Sequence, residues 1–290
     1  MRILIVGHLG QLGKDMMRAA FSIGHAVAGA DYPGVDITNP ASVAAVVEQN
    51  SPEVIINCAA FTAVDQCENE SRKAFAVNEV GVKNLALAAR ERGAKIVHIS
   101  TDYVFDGGKK SPYVETDAPN PLSVYGKSKL AGELRLVETY DRHFIFRIAW
   151  LYGTRGNNFL KTVRARAEKC ALSGEPLKVV DDQIGTPTYT VHVCNQILWM
   201  IPTDHYGLFH ATNEGCCSWY DFAKAIVQAY GIRAEVVPCT TAEFPRPAHR
   251  PANSVLENKR LKQLGLNIMP QWEQGLEEYL KEEALGTAEG

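Results

Sequence analysis

The sequence predicts an α/β protein, a doubly wound parallel Rossmann sheet with a smaller C-terminal substrate-binding lobe. Three observations carry that prediction. Short apolar runs of strand length alternate with helix-length patterned segments through the first half of the chain, and such runs suit strands covered on both faces. The first run leads directly into the glycine-rich "GHLGQLG" at 7–13. Beyond about residue 153 the alternation loosens, and Pro and Gly become frequent, as in "GTPTY" and "EFPRPAHRPANS". The expected division is therefore 1–153 for the dinucleotide-binding unit and 154–290 for the second lobe, with a segment near 183–207 returning to the sheet.

Each element has its own reason. "RILIVG" (2–7) is a buried strand ending in glycine, and a helical pattern follows over 11–22. "AVAGAD" (26–31) is the second strand. "NPASVAAVVEQN" (39–50) opens with Asn39 as N-cap and Pro40 at the first helical position. "EVIINCAA" (53–60) is the third apolar run, and "SRKAFAVNEVGVKNLALAARERG" (71–93) is a long helix stopping at Gly93. "AKIVHIST" (94–101) and "HFIFRIAWLYG" (143–153) are further strands, separated by the helical run "SVYGKSKLAGELRLVETY". "SWYDFAKAIVQAYG" (218–231) is a late helix with Ser218 as its cap.

Composition narrows the function. Hydrophobic residues make up 46% and charged residues 22% of 290, ordinary for a globular enzyme, and the net charge of −3 offers no global field for nucleic acid. The N-terminus lacks the apolar core and cleavage site of a signal peptide, and no run approaches a membrane span. A cytoplasmic protein with no membrane partner is expected. The seven cysteines are scattered and form no Cys-x-x-Cys pair, so reduced, packed thiols and no zinc site are expected.

"GHLGQLG" stands where a β-α-β unit would place a pyrophosphate. Gly7, Gly10, Gln11, Leu12 and Gly13 let the backbone approach, and the helix start offers free N–H groups. Asp31, closing the second strand, suits the hydroxyls of an adenosine ribose; with no arginine beside it, NADH is slightly favoured over NADPH. Asp36 and Ile37 are candidates for the adenine, although Asp36 also fits a loop acid capping Thr38 or Asn39. The small residues Cys58, Ala59 and Ala60 end the third run and leave room for the dinucleotide.

Catalysis is sought at the carboxyl ends of the strands. Ser100 and Thr101 end a central run, and Asp102 follows directly. Tyr125 and Lys129 are one helical turn apart and share a face. Ketone reduction leaves an alkoxide to be protonated; a tyrosine does this near neutrality only if its phenolate is stabilised, and an ammonium does so. Spacing alone is weak, because Tyr220 and Lys224 repeat it. That second pair follows no strand with a terminal hydroxyl and reads as an ordinary amphipathic helix. His98, inside an apolar strand, reads as a packed histidine.

The strings "INCAAFTAVDQCE", "STDYVFDG", "PLSVYGKSKLAGE", "RIAWLYG", "DQIGTPTY", "GLFHATNEGCCSWYDFA" and "RPANSVLEN" resemble the dTDP-4-dehydrorhamnose reductases, within the extended short-chain dehydrogenase/reductases. The resemblance runs from residue 1 to about 280. It implies NAD(P)H-dependent reduction of the 4-keto group of a dTDP-linked 6-deoxy sugar, with Thr101 on the keto oxygen, Tyr125 as acid and Lys129 as its tuner. It implies sugar contacts from Thr62, Val64, Asp102, Tyr103 and Trp150, and diphosphate contacts from Asn157, Arg250 and Ser254. Some members of the family form metal-bridged dimers; only Asp15 offers a matching acid, so no metal is expected, while a homodimer stays open. The adjacent Cys216 and Cys217 depart from the usual pattern. Two other readings stay open: a non-catalytic NADP-binding subunit resembling the regulatory subunit of methionine adenosyltransferase, and a reductase of another nucleotide-linked 4-keto sugar.

Overall fold

The computed structural model describes residues 1–288. Six strands, β1 (Arg2–Val6), β2 (Ala26–Ala30), β3 (Val54–Asn57), β4 (Lys95–Thr101), β5 (His143–Ile148) and β6 (Gly207–His210), form one sheet in the order β6-β5-β4-β3-β1-β2. Every pairing in it is parallel. The principal helices are α1 (Gln11–Ser22), α2 (Pro40–Asn50), α3 (71–92), α4 (Val124–Thr139), α5 (Phe159–Ser173), α6 (Thr190–Met200), α7 (Trp219–Ala229) and α8 (Trp272–Ala288).

The apolar runs are buried on both faces, as parallel strands require. Along β1, Ile3 and Ile5 enter one core with α1 and α6, while Leu4 and Val6 enter the other with α2 and α3. The helix ends follow the local chemistry. The Asn39 side chain accepts from the Ala41 and Ser42 amides, Gly93 takes the left-handed conformation (φ 71°) after α3, and Ser218 with Asp221 forms a full capping box on α7. A separate core of α5, α7 and α8 residues, including Leu160, Phe222, Ile226 and Tyr279, supports the second lobe.

Three expected elements differ. The run 143–153 is not one strand. Ile148 pairs with Thr101, the last residue of β4, so the sheet offers no partner beyond it. The chain then breaks at Trp150, whose φ of 47° lies in the left-handed region, and Leu151–Tyr152 pairs instead with Thr188–Tyr189. The run 53–60 ends at Asn57, whose side chain accepts the Ala59 amide at 3.0 Å and turns the backbone out of the sheet. The helix over 71–92 contains a π-helical stretch, Ala76–Val80. The strand that returns to the sheet is Gly207–His210, preceded by α6 packed across α1. All seven cysteines are free. Among the described residues, no helix is long and apolar enough to cross a membrane.

Candidate active site

Three cavities lie in a row. The first, about 690 Å³, runs along the ends of β1 and β2 and is lined by Gly7, Gly10, Asp31, Asp36, Ile37 and Cys58–Ala60. The second, about 510 Å³, is lined by Gly10–Gly13, Cys58, Ala60, Thr62, Val64, Thr101, Asp102, Tyr103, Tyr125, Lys129, Trp150 and Asn157. The third, about 470 Å³, opens into the second lobe and shares Asp102, Tyr103, Trp150 and Trp219 with the second. Shared residues join neighbours, so one trough crosses the carboxyl edge of the sheet, where α/β sheets bind ligands.

The glycine turn is required by space as well as by backbone angle. Gly7 has φ 80°, and a Cβ there would meet the Ala59 nitrogen at 2.5 Å; a Cβ on Gly13 would collide with the Gly7 carbonyl. Asp31 Oδ2 accepts from the Leu9 amide and Oδ1 from the Tyr32 amide, both at 2.9 Å, so this acid also holds the turn in shape. Asp36 lines the cavity but its Oδ1 already accepts from the Thr38 amide and hydroxyl, the loop-capping role weighed from sequence. The bare cradle around Gly7 and Gly13, facing the start of α1, fits a dinucleotide pyrophosphate.

Helix α4 delivers Tyr125 and Lys129 to the second cavity. Ser123 caps it by accepting the Gly126 amide at 3.1 Å, and the close approach of Gly126 to the Tyr103 carbonyl leaves no room for a Cβ. The Tyr125 hydroxyl pairs with that of Thr101, and Tyr103 packs edge-on against the Tyr125 ring with centroids 5.5 Å apart. Burial, reinforced by Asp102, pushes the Tyr125 phenol above its usual range. Lys129 is 2% exposed; its Nζ donates to the Ile99 carbonyl at 2.6 Å and lies 3.3 Å from His98 Nε2. Burial lowers it to about 8, against the pull of Glu133 and Cys58. Thr101 donates to Asp102 Oδ1 at 2.9 Å, while the buried Asp102 Oδ2 makes no close hydrogen bond and the Ser254 hydroxyl stands near the carboxylate. Burial raises Asp102 to about 6.

Several supporting residues are absent from the sequence reading. Glu133, one turn beyond Lys129, accepts from Ser100 Oγ at 2.5 Å and from Arg147 Nε and Nη2 at 2.9 and 2.6 Å, tying α4 to β4 and β5. Ser100 and Thr101 both line the cavity, but the Ser100 hydroxyl is already given to Glu133. Asn78, within the π stretch, accepts the Phe61 amide and donates to the Phe61 carbonyl and to Ser128, bracing the loop that carries Thr62 against α4. Trp219 stacks on Trp150 with centroids 3.4 Å apart and planes within 5°.

The second-lobe candidates separate. Trp150 Nε1 donates to Ser254 Oγ at 3.1 Å. Arg250 lines the third cavity, yet its guanidinium grips both oxygens of Asp65 at 2.9 and 3.0 Å and holds that carboxyl below its usual range. Asn157 lines the second cavity, on the glycine-turn side, and not the third. The positively charged lining of the third cavity comes also from Arg166, Lys178 and Arg246, which the sequence reading passed over because no periodic pattern marks them. Asp15 is buried against Thr190 Oγ1 at 2.5 Å and Arg155 Nε at 3.2 Å, and the described residues hold no cluster of three metal-ligating side chains.

Tyr220 and Lys224 stand elsewhere. The Lys224 ammonium lies 5.1 Å from the Tyr220 ring centroid on α7, and neither residue lines any of the three cavities.

Comparison with known proteins agrees with this architecture. A family model described as "RmlD substrate binding domain" matches residues 1–285. The dTDP-4-dehydrorhamnose reductase of Aggregatibacter actinomycetemcomitans is 42% identical over 95% of this chain and 97% of its own length, and that of Escherichia coli K12 is 39% identical over 99% and 100%. A crystal structure of a dTDP-4-dehydrorhamnose reductase from Clostridium acetobutylicum superposes with a TM-score of 0.93 at 47% identity, covering 97% of this chain and 99% of that one. One from Bacillus anthracis, in complex with NADP, gives 0.92 at 41%, with the same coverage. The chain belongs to the dTDP-4-dehydrorhamnose reductases, NAD(P)-dependent oxidoreductases of the extended short-chain dehydrogenase/reductase family.

Proposed function

We propose that the chain reduces the 4-keto group of dTDP-4-dehydro-L-rhamnose to give dTDP-L-rhamnose. The observation that carries this reading is the convergence of Thr101, Tyr125 and Lys129 on the middle cavity of the trough. When bound, the nicotinamide supplies a hydride to the carbonyl carbon. Thr101 holds the keto oxygen, and Tyr125 gives its proton to the alkoxide that forms. Burial keeps Tyr125 protonated until then. Lys129, still largely an ammonium at pH 7 with its pKa at about 8, stabilises the phenolate that Tyr125 becomes. The N-terminal end of α4 adds a dipole of the same sign.

Thr62, Val64, Asp102, Tyr103 and Trp150 flank the sugar, with Asp102 Oδ2, which has no close hydrogen bond, as an acceptor for a sugar hydroxyl in competition with Ser254. The nucleotide diphosphate lies in the third cavity, near Arg250 and Ser254 and the cationic lining. The cofactor follows Gly7–Gly13, with its adenosine by Asp31, Asp36 and Ile37 and its backbone along Cys58–Ala60. The 1–153 unit serves the cofactor and the 154–290 lobe the substrate, with 190–210 lent back to the sheet. Both ligands are cytoplasmic metabolites, so the reaction is placed there. NADH is the expected preferred reductant, because the Asp31 carboxylate repels a 2′-phosphate and Lys73, the lysine in that cavity's lining, pairs with Glu70 at 3.1 Å.

Purified protein mixed with the 4-keto sugar nucleotide and either NADH or NADPH should consume the reduced nicotinamide, with kcat/KM higher for NADH. Substituting Asp31→Ser should narrow or reverse that ratio. No turnover on any nucleotide-linked keto sugar, together with a stoichiometric partner protein on purification, would overturn the reading.

A further inference from the structure

His98 is buried in β4, and the roles proposed above leave it without a task. Its hydrogen bonds fix which of its nitrogens carries hydrogen. The Ala59 amide donates to Asn57 Oδ1 at 3.0 Å, and this sets the Asn57 amide with Nδ2 toward His98 Nδ1, 3.2 Å away. Asn57 Nδ2 only donates, so His98 Nδ1 must accept. A neutral imidazole that accepts at Nδ1 carries its hydrogen at Nε2. Burial, with the charge of Lys129 beside it, pushes the His98 pKa well down, so the neutral ring is the form present. Nε2 is the atom 3.3 Å from Lys129 Nζ.

We infer that His98 is a positioning residue that presents an N–H, and not a lone pair, to Lys129, and so lowers the proton affinity of the lysine from behind the active site. The inference rests on the reductase reading for its kinetic consequence, but its tautomer claim stands alone. An ammonium finds one good acceptor at this end of the site, the Ile99 carbonyl at 2.6 Å, and meets a second donor at His98. An amine, by contrast, accepts from Nε2–H with its lone pair. The other ionisable groups near Lys129 are Tyr125 and Glu133 on its own helix and Cys58 after β3; Glu133 favours the ammonium, while burial pushes the Cys58 thiol up to about 12 and leaves it uncharged here. Glu133 is itself held by Arg147. His98 therefore opposes Glu133 and adds to the effect of burial in lowering the proton affinity of the lysine.

Nitrogen-15 NMR of histidine-labelled full-length protein reads the tautomer without reference to activity. The His98 ring, identified by its absence from the His98→Gln spectrum or by long-range proton correlations where that variant fails to fold, should show a bare Nδ1 and a protonated Nε2 from pH 6 to 9. A protonated Nδ1 overturns the inference whether or not the protein turns over. His98→Gln can turn a carbonyl oxygen to Lys129, which favours the ammonium. The alkaline limb of kcat/KM should then move up by roughly one pH unit, with the thermal midpoint measured alongside to separate misfolding. An unmoved or lowered limb in a folded variant also overturns it. A wild-type protein without reductase turnover would remove the function and leave the NMR result to decide the tautomer.

Discussion

Two tyrosine–lysine pairs with the same four-residue spacing sit on two helices of this chain, and their surroundings differ in every respect that matters to acid catalysis. Lys129 is 2% exposed, bonded to a carbonyl and set beside an imidazole, whereas Lys224 is exposed and rests on the ring of Tyr220. Tyr125 pairs with a hydroxyl at the end of a central strand; Tyr220 packs at the margin of the second-lobe core. A shared spacing gives a shared helix face and nothing further. What sets the first pair apart is burial, a strand end that supplies a hydroxyl, and a backbone carbonyl that fixes the lysine.

The sharpest way to break the comparison is to remove both hydroxyls in turn. Tyr125→Phe should lower kcat by roughly 10²–10⁴-fold, and Tyr220→Phe should leave it within about twofold, both read from nicotinamide consumption. Equal losses would mean that the site has been assigned to the wrong helix. Next, α4 is anchored by the buried Glu133–Arg147 ion pair, and among the described residues α7 has no such pair. Arg147→Met leaves the Glu133 carboxylate buried without its partner and should cost about 3–5 kcal/mol in denaturant unfolding.

A smaller effect concerns pH. Asp102 has a folded pKa of about 6 against its ordinary 3.8, so the native state binds the extra proton between those values. Stability therefore falls as pH rises through that window, and the full penalty is present above it. Asp102→Asn should stabilise the protein by roughly 2–3 kcal/mol at pH 7 and by nothing below about pH 4, in thermal or urea unfolding. Smallest of all, Lys224→Met removes one exposed cation–π contact and should change stability by less than about 1 kcal/mol with no change in kcat/KM.

The sheet and its turn were legible because each depends on neighbours in sequence. Asn39, Gly93 and Ser218 act as caps where their residue types placed them, and "GHLGQLG" needs only the strand before it and the helix after it. The break at Trp150 was not legible, because "IAWLYG" carries no turn residue before Gly153 and only the length of β4 ends the pairing. Glu133–Arg147, Asn57–His98–Lys129 and Asn78–Ser128 were hidden for a related reason: each joins residues on different elements, and Glu133 and Asn78 look like ordinary helix residues on their own. The lining of the third cavity, drawn from α5, Leu177–Val180 and the loop around 241–254, carries no periodicity that a one-dimensional reading can use.

The sixth strand has a consequence for how the protein is made. β6 pairs with β5 across the whole of residues 149–206, so a nascent chain that has emerged through β5 presents a strand, buried along its whole length in the finished fold, with one open edge. That edge stays unpaired until the first half of the second lobe has been synthesised, and chains stalled or cut within 149–206 keep it exposed for association with other copies. Chains truncated after residue 153 should aggregate where chains truncated after 263, which retain β6 and the Lys259–Gln263 helix beside it, stay dispersed for longer. The edge that closes last during synthesis is thus the one opposite β2, and the cavity at the carboxyl end of β4 is walled in only once the second lobe has been made.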